Sequence, residues 1–178
     1  PWRCNFCASS ITLTHHYKLK PVTKVVQEIQ AIKRIWPKPF IELADDNTFV
    51  NKAHAKQLVR ALTEEGIRWF TETDIAVADD EELLRLLAKS GCAQLLIGLE
   101  SPSSGGLEGV ELNRNWKRAQ FDKYVDAIQR IQSHGITVNG CFVLGLDGDD
   151  RQIFDAVWDF VERSSLYEVQ ITVMTAFP

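Results

Sequence analysis

Apolar positions along the chain recur with helical spacing in some stretches and run unbroken over strand lengths in others. From Pro21 to Trp36, residues Val22, Val25, Val26, Ile29, Ile32 and Trp36 share one face, and Pro21 suits the first helical position. Pro37 and Pro39 end that helix, and Phe40 to Leu43 then reads as a short strand running into the polar cluster Asp45, Asp46, Asn47. A second helix is expected over about Asn51 to Glu65, with Leu58, Val59 and Leu62 on one face.

Beyond this point a unit of helix, glycine and strand repeats. Gly66, Gly91 and Gly135 each close a helical segment, and strand-like runs follow at Ile67 to Phe70, Gln94 to Leu99 and Ile136 to Leu144. Helices are expected from about Asp79 to Ser90, with Asp79 or Asp80 as N-cap, from Arg118 to His134 and from Asp150 to Arg163. A last strand passes through Val169, Ile171 and Val173. Strands alternating with helices across short turns predict a parallel sheet, because each crossover returns the chain to the same end. Five strands are countable, and a sixth is expected to precede Pro1. The loop from Ser101 to Trp116, rich in Ser, Gly and Asn, follows a strand, where barrel enzymes carry functional loops.

Composition narrows the class. With 178 residues, 45% apolar and 25% charged, the chain is expected to form one domain with a substantial core. The net charge of -4 and the absence of any Lys/Arg run argue against a nucleic-acid partner. No apolar stretch approaches the roughly 18 residues that would span a bilayer, so no membrane partner is expected. Four scattered cysteines, Cys4, Cys7, Cys92 and Cys141, suit a reducing compartment, and a cytoplasmic location is expected. Pro1 in place of an initiator Met, and an end at Ala-Phe-Pro, suggest that both ends are cut from something longer.

Cys4 and Cys7 are spaced so that both thiolates can face one metal centre. A bare C-x-x-C also suits zinc or redox chemistry, or nothing at all, and His15 and His16 are the nearby candidates for completing a zinc site. Cys92 and Cys141 lie in apolar strand contexts as buried bystanders. His54 and His134 read as surface or capping residues.

The segment from Pro1 to Cys7 resembles the last seven positions of the radical S-adenosylmethionine (SAM) cluster loop, Cys-x-x-x-Cys-x-aromatic-Cys, with the leading Cys expected just before Pro1. The resemblance extends over the whole chain. It implies an α/β fold, a partial (β/α)6 TIM-like barrel of parallel strands truncated at both ends, with residues 1–178 forming one core domain that lacks its first strand and its C-terminal part. It also implies a [4Fe-4S] cluster held by Cys4, Cys7 and the missing third Cys, with the open iron taking the methionine end of SAM. An electron from a donor such as flavodoxin or ferredoxin then cleaves SAM to a 5′-deoxyadenosyl radical, which abstracts hydrogen from a small-molecule substrate.

Individual motifs carry further implied roles. Where the family commonly has Gly-Gly-Glu, this chain has Ala44-Asp45-Asp46-Asn47, so Asp45 and Asp46 are expected to bind the SAM amino group. That departure resembles the subgroup carrying a cobalamin-binding domain, which this chain lacks; the bland alternative is a turn capping the next helix. Gly98-Leu99-Glu100-Ser101 resembles the Gly-x-Glu-Ser strand end, where Glu100 and Ser101 would meet the ribose or carboxylate of SAM, and Glu72 is expected to end the preceding strand and face the same pocket. Asn139-Gly140 through Gly145 to Asp149 resembles the glycine-bearing strand and turn beside the adenine, which Phe6 would shelter and the backbone near Met174 would meet. Methyl transfer or rearrangement is the expected reaction, the fragment itself being inactive. A methylthiotransferase-like enzyme, or a non-catalytic α/β domain with a zinc or empty C-x-x-C site, is the alternative.

Overall fold

In a computed structural model the chain is described over residues 4–7, 18–112 and 114–175. Five parallel strands lie in sequence order in one sheet: β1 (Phe40–Leu43), β2 (Arg68–Thr73), β3 (Cys92–Glu100), β4 (Thr137–Leu144) and β5 (Glu168–Val173). Around them run α1 (Val22–Ile35), α2 (Lys52–Glu65), α3 (Glu81–Lys89), α4 (Trp116–Gln120), α5 (Tyr124–Ser133) and α6 (Ile153–Ser164). The architecture is the α/β alternation that the glycine-punctuated pattern predicts. His15, His16 and the segment Pro1 to Arg3 lie outside the described residues.

Local chemistry sets the boundaries. The Asn51 side chain caps α2 by accepting from the His54 N–H at 3.0 Å, and Asp80 caps α3 through Leu83 N–H at 3.0 Å. Gly66 ends α2 at φ +61°, a left-handed turn that only glycine enters cheaply. Pro21 stands at the N-cap of α1 rather than inside it. Residues Ile75–Asp79 form a 3-10 turn before α3, and the expected helix from Arg118 to His134 is interrupted by a 3-10 segment, Phe121–Lys123. The tighter winding brings positions three apart into line. It sets the Phe121 and Tyr124 rings edge to face at 5.9 Å and lets the Tyr124 hydroxyl donate to the Leu99 and Lys117 carbonyls.

Strand β2 runs three residues past its expected end. Thr71 and Thr73 continue the alternation begun by buried Trp69, so Thr-Glu-Thr belongs to the sheet although its composition reads as polar loop. Glu72 therefore lies within the strand, on the face opposite the threonines.

The two faces of the sheet differ. Ile41, Trp69, Leu95, Ile97, Leu99, Val138 and Phe142 face the helices and form the core with Leu62, Leu84, Leu87, Ile128 and Phe160. The opposite, concave face carries Glu42, Phe70, Glu72, Gln94, Leu96, Gly98, Asn139 and Cys141, as strict side-chain alternation requires. A β-bulge between Gly98 and Glu100 ends β3, and Glu100 adopts φ +67°, a conformation that a non-glycine residue enters only when its surroundings enforce it.

Candidate functional site

All five strands are parallel, so their C-terminal ends open on one edge of the sheet, and the residues after each strand gather there. Asp45 and Asp46 follow β1, Glu72 lies next to the last residue of β2, Glu100 ends β3, the turn Gly145 to Asp149 follows β4, and Met174 follows β5. The segment Cys4 to Cys7 reaches the same edge. Cys4 forms an isolated antiparallel bridge with Glu111, and the Asn5 N–H donates to the Val110 carbonyl at 2.9 Å, which fastens this segment to the loop after β3. The Cys7 N–H donates to the Cys4 carbonyl at 3.2 Å, closing a tight turn that keeps the two thiols near one another.

At the end of β3 the Lys117 ammonium donates to Glu100 Oε1 and to the Gly98 carbonyl, each at 2.7 Å, with both side chains almost fully buried. Gly98 makes this possible: a Cβ there would lie 2.5 Å from Glu100 Oε1. Burial pushes the Cys4 thiol up to about 11, against the opposing pull of the Lys117 ammonium. Burial, followed by the Glu100 carboxylate, pushes the Cys141 thiol up to about 12.

Asn47 and Thr48 anchor the polar cluster after β1. The Asn47 amide donates to Asp74 Oδ2 at 2.8 Å, the Thr73 hydroxyl donates to Asn47 Oδ1, and the Thr48 and Thr71 hydroxyls bond to each other. This fastens the cluster to β2 and leaves Asp45 and Asp46 on the surface of the mouth. The cluster does not cap α2, since Asn51 does. Glu72 is half-buried, and its carboxyl is raised above the usual carboxylate range, first by burial and then by Asp46, Glu42 and Asp45.

Phe6 and Met174 share a cavity of about 210 Å³ with Asn5, Gly106, Glu108, Val110, Leu146 and Asp147. Gly145, at φ +96°, lies beside Met174 without lining the cavity; its N–H, with that of Leu146, donates to Asp149 Oδ2, so the Asp147 to Asp149 turn closes on itself instead of capping α6. Ser101 is fully enclosed, and its hydroxyl accepts from the Ser103 N–H at 3.2 Å, so it braces the loop and does not line the cavity. Asn139 is buried on the concave face.

Of the expected site residues, Cys4, Phe6, Cys7, Gly145 and Met174 gather at the rim, Asp45, Asp46 and Glu100 stand at strand ends, and Glu72 and Asn139 lie deeper on the wall. Lys117, which pairs with Glu100, and Glu111, which bridges to Cys4, adjoin these residues, and the sequence pattern does not reveal either. The Gly-x-Glu spacing of Gly98 and Glu100 was the available signal for a folded-back carboxylate in need of a partner. Among the described residues no three or more His, Cys, Asp or Glu side chains converge to hold a metal ion. Cys4 and Cys7 fit two of the three thiolates that a radical SAM cluster takes.

A profile of the Radical SAM superfamily matches residues 1–161, and the chain belongs to that superfamily. Among its relatives, the bacteriochlorophyllide d C-12(1)-methyltransferase of Chlorobaculum tepidum is 24% identical over 180 residues, covering 100% of this chain and 39% of the relative. The hopanoid C-3 methylase of Methylococcus capsulatus is 27% identical, covering 100% of this chain and 33% of the relative. The chain thus spans well under half the length of these relatives. The fold matches that of the radical SAM methyltransferase TsrM from Kitasatospora setae, solved with cobalamin and a [4Fe-4S] cluster, at TM-score 0.77 and 17% identity over 97% of this chain and 34% of that one.

Proposed function

We propose that this chain is the SAM-binding core of a cobalamin-associated radical SAM methyltransferase. The observation that carries the reading is convergence: the Cys4 to Cys7 segment, the Glu100 strand end, Asp45 with Asp46, and the cavity shared by Phe6 and Met174 all open on one mouth of the sheet. A four-iron cluster and SAM bound there supply one-electron cleavage of the sulfonium, fed by a donor such as flavodoxin or ferredoxin.

The chain's own residues then have separate tasks. Cys4 and Cys7 would hold two irons. Asp45 and Asp46 offer carboxylates to the SAM ammonium, a charge-assisted pairing that favours the methionine end at this lip. Phe6 and the backbone at Met174, with Gly145 beside it, would enclose the adenine in the rim cavity and keep water from it. Glu100, held by Lys117, presents its strand end to the ribose side, and Ser101 acts through the loop that it braces. Asn139 lies below the adenine position. Methyl transfer follows the activities of the related methyltransferase and methylase, and a cobalamin would be held by a domain outside this chain. Its small-molecule substrate enters from the concave side; among the described residues no helix is long and apolar enough to cross a membrane.

The test uses the full-length protein that contains this segment, reconstituted with iron and sulfide in the absence of oxygen. A brown protein that binds SAM, consumes it under reduction, and loses both properties on Cys4→Ala or Cys7→Ala is the expected result. A colourless protein with stoichiometric zinc at Cys4 and Cys7 would overturn the reading.

A further inference from the structure

The wall below the mouth has a chemistry of its own. Register places Glu72, Leu96, Asn139 and Glu168 in one layer across β2 to β5, because Glu72 pairs with Leu96, Leu96 with Asn139 and Asn139 with Glu168. All four side chains therefore stand on the concave face. Glu42, one layer lower on β1, adds a further carboxylate, and among the described residues the charged groups that act appreciably on Glu72 are acidic: Asp46, Glu42 and Asp45. Among the described residues, two basic groups near this face are engaged elsewhere. Lys117 is bound to Glu100 and Gly98, and Arg68 lies over the Phe40 ring at the opposite end of the strands.

Asn139 supplies an independent observation. It is 7% exposed, and among the described residues its Oδ1 has no hydrogen-bond partner, although a buried acceptor is almost always satisfied. Its carbonyl oxygen is thus an enclosed acceptor that lacks a donor among the described residues, in the same layer as Glu72 and Glu168. The Gln94 amide donates to Glu168 Oε2 at 2.7 Å, which fixes that carboxylate on the wall while leaving its other oxygen available. The acceptors are spread across the layer and do not converge on one point, and no metal-holding group forms among the described residues. Acceptors strung along a wall suit an organic group with several N–H donors more than a single ion.

We propose that this layer is the substrate wall of the mouth, and that it selects a substrate bearing a cationic nitrogen group, an ammonium or guanidinium, by presenting Glu72, Asn139 Oδ1 and Glu168 to its N–H donors. The inference rests on the SAM-binding reading above, since it places the substrate beneath that cofactor. Leu96 offers the one apolar position of the layer, against which the methylene part of such a substrate packs.

The test uses the full-length, cluster-reconstituted protein with two probes of equal length, 1,4-diaminobutane and 1,4-butanediol, their binding followed by ligand-observed NMR with SAM present at saturation. The diamine is expected to bind at least tenfold more tightly than the diol, and Glu72→Gln to weaken it about tenfold. Equal binding of the two probes, on a protein that still binds and consumes SAM, would overturn the substrate class and leave the SAM reading standing. Displacement of SAM by the diamine would also overturn it, since the carboxylates would then serve the cofactor. Failure of SAM itself to bind would sink the earlier reading and this one with it.

Discussion

Oε1 of Glu100 lies 2.7 Å from Nζ of Lys117, with both groups buried and both acting on the Cys4 thiol. Seventeen residues separate them in sequence, and the pair joins the end of β3 to the start of α4 across the loop that carries the Cys4 to Cys7 segment. Removing one partner of a buried ion pair leaves an uncompensated charge, at a cost of about 3–5 kcal/mol. Lys117→Met is expected to lower unfolding free energy by about that amount in denaturant titration, and Lys117→Met with Glu100→Gln to recover most of it. A loss under about 1 kcal/mol for the single variant would show that the pair is not structural.

Gly98 and Gly105 make a matched pair for testing the β3 terminus. A methyl at Gly98 meets Glu100 Oε1 at 2.5 Å and Lys117 Nζ at 3.4 Å, whereas nothing lies within 4 Å of a Cβ at Gly105. Gly98→Ala should destabilise by about 1–3 kcal/mol through overpacking. Gly105→Ala should be neutral or slightly stabilising by restricting the unfolded chain. Thermal unfolding of both variants side by side decides it, and equal midpoints would contradict the packing at Gly98.

Glu72 gives a pH dependence whose sign is fixed by its raised carboxyl. The folded protein binds this proton more tightly than the unfolded chain, so the group's contribution is fully present below the ordinary glutamate range and is lost as pH rises through the folded value. Glu72→Gln is therefore expected to match the parent near pH 4 and to be the more stable of the two at pH 7. Unfolding curves at both values check this, and a variant less stable than the parent at neutral pH would refute it. Stability given up at neutral pH is the ordinary price of a wall built to receive a ligand.

Reactivity separates the cysteines. Burial pushes the Cys92 thiol up to about 12, and Cys141 reaches about 12 through burial and Glu100, so neither forms appreciable thiolate at pH 8. Iodoacetamide applied to the native protein at that pH, followed by peptide mass spectrometry, should leave both unmodified until denaturant is added. Rapid labelling of Cys141 would mean that the concave face is far more open to solvent than its half-buried position implies.

Much of the scaffold was legible from local pattern. Gly66, Gly91 and Gly135 take positive φ where the pattern ends each helix, and the five strands fall close to the apolar runs that marked them. These features are legible because they depend on near neighbours: a helix stripe, a cap, or a turn that only glycine enters. The C-x-x-C, Asp-Asp-Asn and Gly-x-Glu-Ser segments were equally visible as candidates, each being contiguous. Composition misled at Thr71 to Thr73, where polar residues complete a buried strand because the layer above them is supplied by Thr48 and Asn47.

What the linear chain could not specify was partnership across distance. Lys117 looks like any basic residue at a helix start until the bulge at Gly98 and Glu100 turns a carboxylate toward it. Ser101 reads as a ligand contact until the loop closes over it. The single layer of Glu72, Leu96, Asn139 and Glu168 exists only through strand register, which joins residues 96 positions apart. Hydrophobic periodicity decides which elements form, since burial of one face is a local demand. Which side chains meet at the mouth is decided by how the sheet stacks those elements, because charge and hydrogen bonding act through space and not along the chain.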